Sequence, residues 1–253
     1  MSTEEIVKNI RFLGHASVKL KITEKIVVVD PWKIKETEDK TDIILVTHPH
    51  FDHYSEEDVQ KIAKDTTILF SCKEVVSQTS VKNKQAVLPF EEAKIDDITI
   101  QGFPAYNVNK PFHPKENNWL GFVIKHNDVS IYIAGDSDVI EEAKQLKVNI
   151  MILPVGGTYT MTDKEAAELV NLTKPNIYIY HYLLFYFVSY DISIYYLHDT
   201  ILKTPSFVST PYLGSVSASV FALSDSNSSN KRYFCIAFLT SPLTVRSFFF
   251  AIF

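Results

Sequence analysis

Over its first 180 residues the chain alternates short apolar runs with polar connections. Residues 17–22 set Val18, Leu20 and Ile22 on alternate positions, and residues 26–29 form a continuous β-branched run that stops at Asp30-Pro31. Strand side chains point to opposite faces in turn, and proline cannot continue a ladder, so the two runs predict a hairpin. Residues 43–46, 67–70, 98–100, 122–124, 131–134, 150–153 and 177–180 are further apolar runs. They are too short for helices and rich in branched or aromatic side chains, so each reads as a buried strand. Two helices announce themselves by their caps. Ser55 with Asp58, and Thr162 with Glu165, each place a hydroxyl three residues before a carboxylate, and the second helix must stop at Lys174-Pro175. Strands interleaved with helices predict a mixed α/β fold. Two strand-rich stretches that each close with a helix suggest two similar halves.

The pattern changes near residue 182. Residues 181–253 hold no Glu, 13 Ser and 17 of the 32 aromatic residues. Such a stretch neither solvates a surface nor shows a clean period. Residues 177–197 are a candidate membrane span, but seven of these 21 residues are Tyr and His181 and Asp191 interrupt them, so no span is expected there. The rest of the composition fits a globular protein: 253 residues, 46% hydrophobic, 22% charged, 7 Gly. A net charge of −5 provides no extended basic field, which excludes binding to long nucleic acid through many phosphates. Cys72 and Cys235 are far apart and outside any C-x-x-C spacing, so neither a disulfide framework nor a thiolate zinc site is expected. The opening Met-Ser-Thr-Glu-Glu-Ile has acids where a signal peptide carries basic residues, and a cytoplasmic location is expected.

The chemistry concentrates in Thr47-His48-Pro49-His50-Phe51-Asp52-His53, after a predicted strand and before a capped helix. Four metal-capable side chains occupy six positions. Residues i and i+2 leaving a strand point to one side, so His48 and His50 can share an ion while the turn brings Asp52 and His53 to a second. Asp136 and His181 also sit just past predicted strands, where open α/β sheets bind ligands. Taken singly, Asp136 in Gly135-Asp136-Ser137 reads as a turn or cap, and His181 as a core or surface histidine. Their recurrence at strand ends is what points to a shared site. His113, in Pro111-Phe112-His113-Pro114-Lys115, has the weakest local case.

The His48-x-His50-x-Asp52-His53 run resembles the signature of the metallo-β-lactamase superfamily, and the text around it resembles that superfamily's small, uncharacterised metal-dependent hydrolase branch, which includes lactonase-like and N-acyl-phospholipid phospholipase-D-like relatives. Further matches are Leu13-Gly14-His15-Ala16-Ser17, Asp30-Pro31, Pro104-Ala105-Tyr106-Asn107, Phe112-His113-Pro114-Lys115, Ala134-Gly135-Asp136, residues 153–159 and His181-Tyr182. The resemblance implies a four-layer αββα sandwich over residues 1–182. In it His48, His50 and His113 hold one divalent ion, Asp52, His53 and His181 another, and Asp136 bridges both. It assigns Asp52 and His15 to the reaction, His15 touching either substrate or a ligand. The implied activity is hydrolysis of an ester, lactone or phosphodiester in a small-molecule substrate by a hydroxide bridging the two ions. Zinc suits a His-rich N/O site, with manganese, iron and nickel as alternatives. The family pattern breaks after Tyr182, as a frameshift or read-through would break it. Residues 183–253 are therefore expected to form an atypical tail adding little ordered structure. The competing reading is a catalytically impaired metal-binding protein of the same fold.

Overall fold

A computed structural model describes residues 1–35 and 38–181, and beyond them the backbone of three strands within residues 217–251. Two sheets organise the chain. In the first, β1 (Ile10–Gly14), β2 (Ser17–Ile22), β3 (Lys25–Val29), β4 (Ile43–Val46), β5 (Ile68–Ser71) and β6 (Asn83–Ala86) lie side by side in chain order. Strands β1 to β3 pair antiparallel and β3 to β6 parallel. The second sheet repeats this scheme. Here β7 (Glu92–Ile95), β8 (Ile98–Pro104), β9 (Leu120–His126) and β10 (Val129–Ile133) are antiparallel, and β11 (Ile150–Pro154) and β12 (Ile177–His181) continue parallel to β10. The two similar halves are the two sheets.

Every run predicted as a strand overlaps one of these. Within residues 1–181 the strands that sequence periodicity missed are β1, β6 and β7, which lie toward sheet edges; β6 is exposed along its whole length, and an edge strand open to water needs no apolar alternation. The backbone of β13 (Ser217–Leu223), β14 (Phe234–Ser241) and β15 (Thr244–Ala251) extends the second sheet antiparallel beyond β12, in the stretch whose composition predicted little ordered structure. The junction after Tyr182 lies outside the described residues. Of the candidate membrane span, residues 177–181 form β12 and the remainder lies outside the described residues. Among the described residues no helix is long and apolar enough to cross a membrane.

Strand alternation decides the layers. In β10 and β11, Ile131, Ile133, Ile150 and Ile152 face the first sheet and join Val27, Val29, Ile43 and Leu45 in one buried cluster. The intervening Tyr132, Met151 and Leu153 face outward and bury Ala166 and Leu169 of α5 (Asp163–Thr173) and Ala143 of α4 (Glu141–Lys144). Each fully buried Val, Ile or Leu contributes about 1.5–3 kcal/mol. On the other side, Val59 and Ile62 of α2 (Glu56–Ile62) and Val75 of α3 (Lys73–Gln78) join the first sheet's cluster. The caps hold as predicted: Asp58 N donates to Ser55, and Thr162 and Glu165 form a reciprocal box. The opening residues form one more, with Ser2 and Glu5 capping α1 (Thr3–Lys8).

The sheets are joined at one end by a backbone hydrogen bond from Leu120 N to Thr47 O, 3.0 Å. Gly135 fills the space beside it with φ +61°, where a Cβ would lie 2.8 Å from Leu120 O and 3.1 Å from the Thr47 side chain. Backbone and side chain are thus both excluded at this position. Gly135→Ala is expected to destabilise the protein by about 2–4 kcal/mol, the sum of left-handed backbone strain and overpacking; the midpoint of urea unfolding reads this directly.

Candidate metal centre

The chemistry-bearing residues gather where the parallel strands end. Asp30 follows β3, Thr47 and His48 follow β4, Asp136 follows β10, and His181 closes β12. His15 sits in the β1–β2 turn with φ +51° after Gly14 at φ +130°, and His113 lies in the β8–β9 connection. Three sets of side chains each place their ligand atoms within 4.8 Å of one another: His48, His50 and His113; His15, Asp52 and His53; and His48, His53 and Asp136. His181 falls outside these sets, but it is buried with Nδ1 unpartnered. Asp52 and His53 stand together in one of these sets. Their third neighbour in these sets is His15, whose Nε2 lies 3.1 Å from Asp52 Oδ2.

Hydrogen bonds orient each imidazole. Asp30 is buried; its Oδ1 accepts from Thr47 N at 2.7 Å and its Oδ2 from Thr47 Oγ1 at 2.8 Å. The Thr47 proton is thereby committed, so the hydroxyl accepts from His48 Nδ1 at 2.9 Å and leaves His48 Nε2 as the lone-pair nitrogen. His53 Nδ1 donates to Asp30 Oδ2 at 2.8 Å and turns its Nε2 toward Asp136 Oδ1 at 3.3 Å. His113 Nδ1 lies 3.1 Å from Asn107 Oδ1, whose amide is fixed because Nδ2 donates to Tyr159 O at 2.9 Å. His113 therefore presents Nε2, 3.5 Å from Asp136 Oδ2. Behind His48, His50 and His113 stands Trp119, with ring centroids 5.2, 4.8 and 5.6 Å away. Glu74 accepts from its indole N–H at 2.8 Å.

These donors fit a divalent cation. His53 Nε2, His113 Nε2, Asp136 Oδ1 and His181 Nδ1 are buried polar atoms without a hydrogen-bond partner, an expensive arrangement unless a cation uses their lone pairs. Burial pushes the His113 and His181 pKa values down to about 4 and holds His48 well below the usual range, so all three are neutral imidazoles at neutral pH, able to offer a lone pair. Burial acts against a charge on His53 as well, but Asp136 and Asp30 outweigh it and raise its pKa well above the usual value. For Asp136, burial favours the acid, and the His53 charge 3.3 Å away, with His48 and His113, instead holds the carboxyl far below its usual range. Asp52 shows the same contest: burial raises it, and the His15 hydrogen bond and His53 charge lower it by more. Positive charge is favoured at the point where these groups meet.

The arrangement defines a metal-dependent hydrolase on a metallo-β-lactamase sandwich, and comparison with known proteins agrees. Residues 9–180 match the family model of the beta-lactamase superfamily domain, and the chain belongs to that family. A metal-dependent hydrolase of Thermococcus onnurineus is 31% identical over 182 residues, covering 66% of this chain and 80% of its own, and one of Caldivirga maquilingensis is 30% identical over 193 residues, covering 70% and 82%. A crystal structure from Parabacteroides distasonis superposes with a TM-score of 0.63 at 30% identity, over 67% of this chain and 79% of that one. Igni18, a metallo hydrolase of Ignicoccus hospitalis, shares the fold at 22% identity and a TM-score of 0.57, covering 67% and 79%.

Sequence reasoning named Asp30, Thr47 and Asn107 within motifs without a task, and passed over Glu74 and Trp119. An aspartate ending a buried strand was the available signal for Asp30. Because Asp30 fixes His53 directly and His48 through Thr47, Asp30→Asn is expected to weaken metal binding about 10–100-fold, as measured by competition with a chromophoric chelator.

Proposed function

We propose that the chain hydrolyses an ester, lactone or phosphodiester bond of a small molecule in the cytoplasm, with two divalent ions, zinc by preference, and residues 1–182 as the hydrolase unit. The observation that carries this reading is Asp136, whose two carboxylate oxygens face one histidine from each side of the site: Oδ1 faces His53 and Oδ2 faces His113. On this reading His48, His50 and His113 hold one ion, Asp52, His53 and His181 the second, and Asp136 reaches both. Held there, divalent ions would supply the Lewis-acid charge that activates water at neutral pH and polarises the bond under attack. His15 holds Asp52 in register through the 3.1 Å contact, and Asp52, kept ionised, aligns the nucleophile and takes up its proton. Mixed imidazole and carboxylate donors favour zinc, and manganese, iron and nickel are the competitors.

Metal analysis after dialysis against zinc or manganese is expected to count two ions per chain, and phenyl acetate or bis(4-nitrophenyl) phosphate to be turned over. Two bound ions without turnover of any ester, lactone or phosphodiester would identify a catalytically impaired metal-binding protein instead. Asp52→Ala is expected to lower kcat/KM roughly 10²–10⁴-fold. His126→Ala is the control. His126 is buried at the end of β9 and bonds Asp97 at 2.8 Å on the β7–β8 turn, so kcat/KM per folded molecule should stay near the parent value. Equal losses in the two variants would remove Asp52 from the reaction.

A further inference from the structure

Seven large apolar side chains are exposed among the described residues, and three of them lie on segments that carry residues of the site: Phe51 at 69%, Val108 at 56% and Phe112 at 40%; a fourth, Tyr159 at 44%, lies on the β11–α5 loop that Asn107 ties to His113. Phe51 stands between His50 and Asp52, and Phe112 directly precedes His113. Phe112 and Tyr159 meet edge to face with ring centroids 4.6 Å apart. Isolated apolar residues on a surface need no explanation, but a group bordering a reactive centre does.

The two loops that carry this aromatic pair are stitched together. Asn107 holds His113 through Oδ1 and Tyr159 O through Nδ2, so one buried amide ties a proposed ligand and the rim to each other. Lys110 Nζ donates to Thr160 O at 2.8 Å and to the Asp138 carboxylate, and Val108 N donates to the other oxygen of Asp138 at 3.0 Å. The Lys110 charge is therefore used internally, and Phe112 and Tyr159 present partly exposed rings on two loops that the Asn107 amide anchors to His113. A preformed apolar surface binds without paying to order itself.

We propose that Phe112 and Tyr159 form the wall that binds an apolar group of the substrate, an alkyl chain or aryl ring attached next to the bond cleaved. This assignment rests on the hydrolase reading and names the substrate class it takes. Each methylene moved from water onto such a wall strengthens binding about two- to fourfold. The test is calorimetric titration of the zinc-loaded protein with acetate, butanoate, hexanoate and octanoate, whose carboxylate is common and whose chain alone varies, and with benzoate and 3-phenylpropanoate to tell an alkyl from an aryl preference. Affinity is expected to climb with chain length by that factor per methylene until the wall is covered. The Phe112→Ser, Tyr159→Ser double variant should lose the dependence with its zinc content unchanged, and the Phe112→Leu, Tyr159→Phe variant should keep it. A flat series, no binding of any member, or a dependence that survives the double serine variant overturns the wall. Failure of the hydrolase reading looks different: the chain-length dependence remains while phenyl acetate and bis(4-nitrophenyl) phosphate are not turned over.

Discussion

Asp30 and Asp136 are both buried, and His53 lies between them, with one ring nitrogen 2.8 Å from Asp30 and the other 3.3 Å from Asp136. Two carboxylates taken out of water repel each other and lose hydration, so the arrangement requires positive charge at their midpoint. His53 supplies it as imidazolium, and a divalent cation meets the same demand more fully. The rest of the site follows from this requirement. Thr47 spends its hydroxyl proton on Asp30, which fixes the tautomer of His48. Asn107 spends its amide on Tyr159, which fixes that of His113. Neutral imidazoles and ionised carboxylates then converge, a donor set that water solvates poorly and a metal ion satisfies.

The scaffold makes this geometry durable because the ligands leave the ends of strands whose interiors are packed. Between the sheets the isoleucines of β10 and β11 meet the branched apolar side chains of β3 and β4, and the outer faces of β10 and β11 are covered by α4 and α5. Movement of a ligand therefore means movement of a buried strand. The point of greatest constraint is the contact of Leu120, Thr47 and Gly135, where the two sheets come together beside the centre. A glycine is required there because two chains approach within the space of a methyl group, and the next residue is Asp136. Trp119, pinned by Glu74, closes the other side as a rigid wall behind three imidazoles.

By itself the sequence determined the alternating strands, the two capped helices and the His/Asp run at residues 48–53, because each depends on neighbours a few positions away: a period of two, a hydroxyl three residues before a carboxylate, a strand end followed by a turn. Asp136 and His181 could be read from their places at predicted strand ends, and resemblance to a family added their grouping with His113, whose loop has the weakest local signature. Only the tertiary structure decided that Asp52 is partnered by His15, that Asp30 serves both His48 and His53, and that Asn107 couples His113 to Tyr159. Each of these joins residues brought together by strand pairing and sheet packing across tens of positions. The strands at β1, β6 and β7 belong in the same group: toward the edges of a sheet, pairing with a neighbour forms the strand, and solvent erases the apolar alternation that would reveal it.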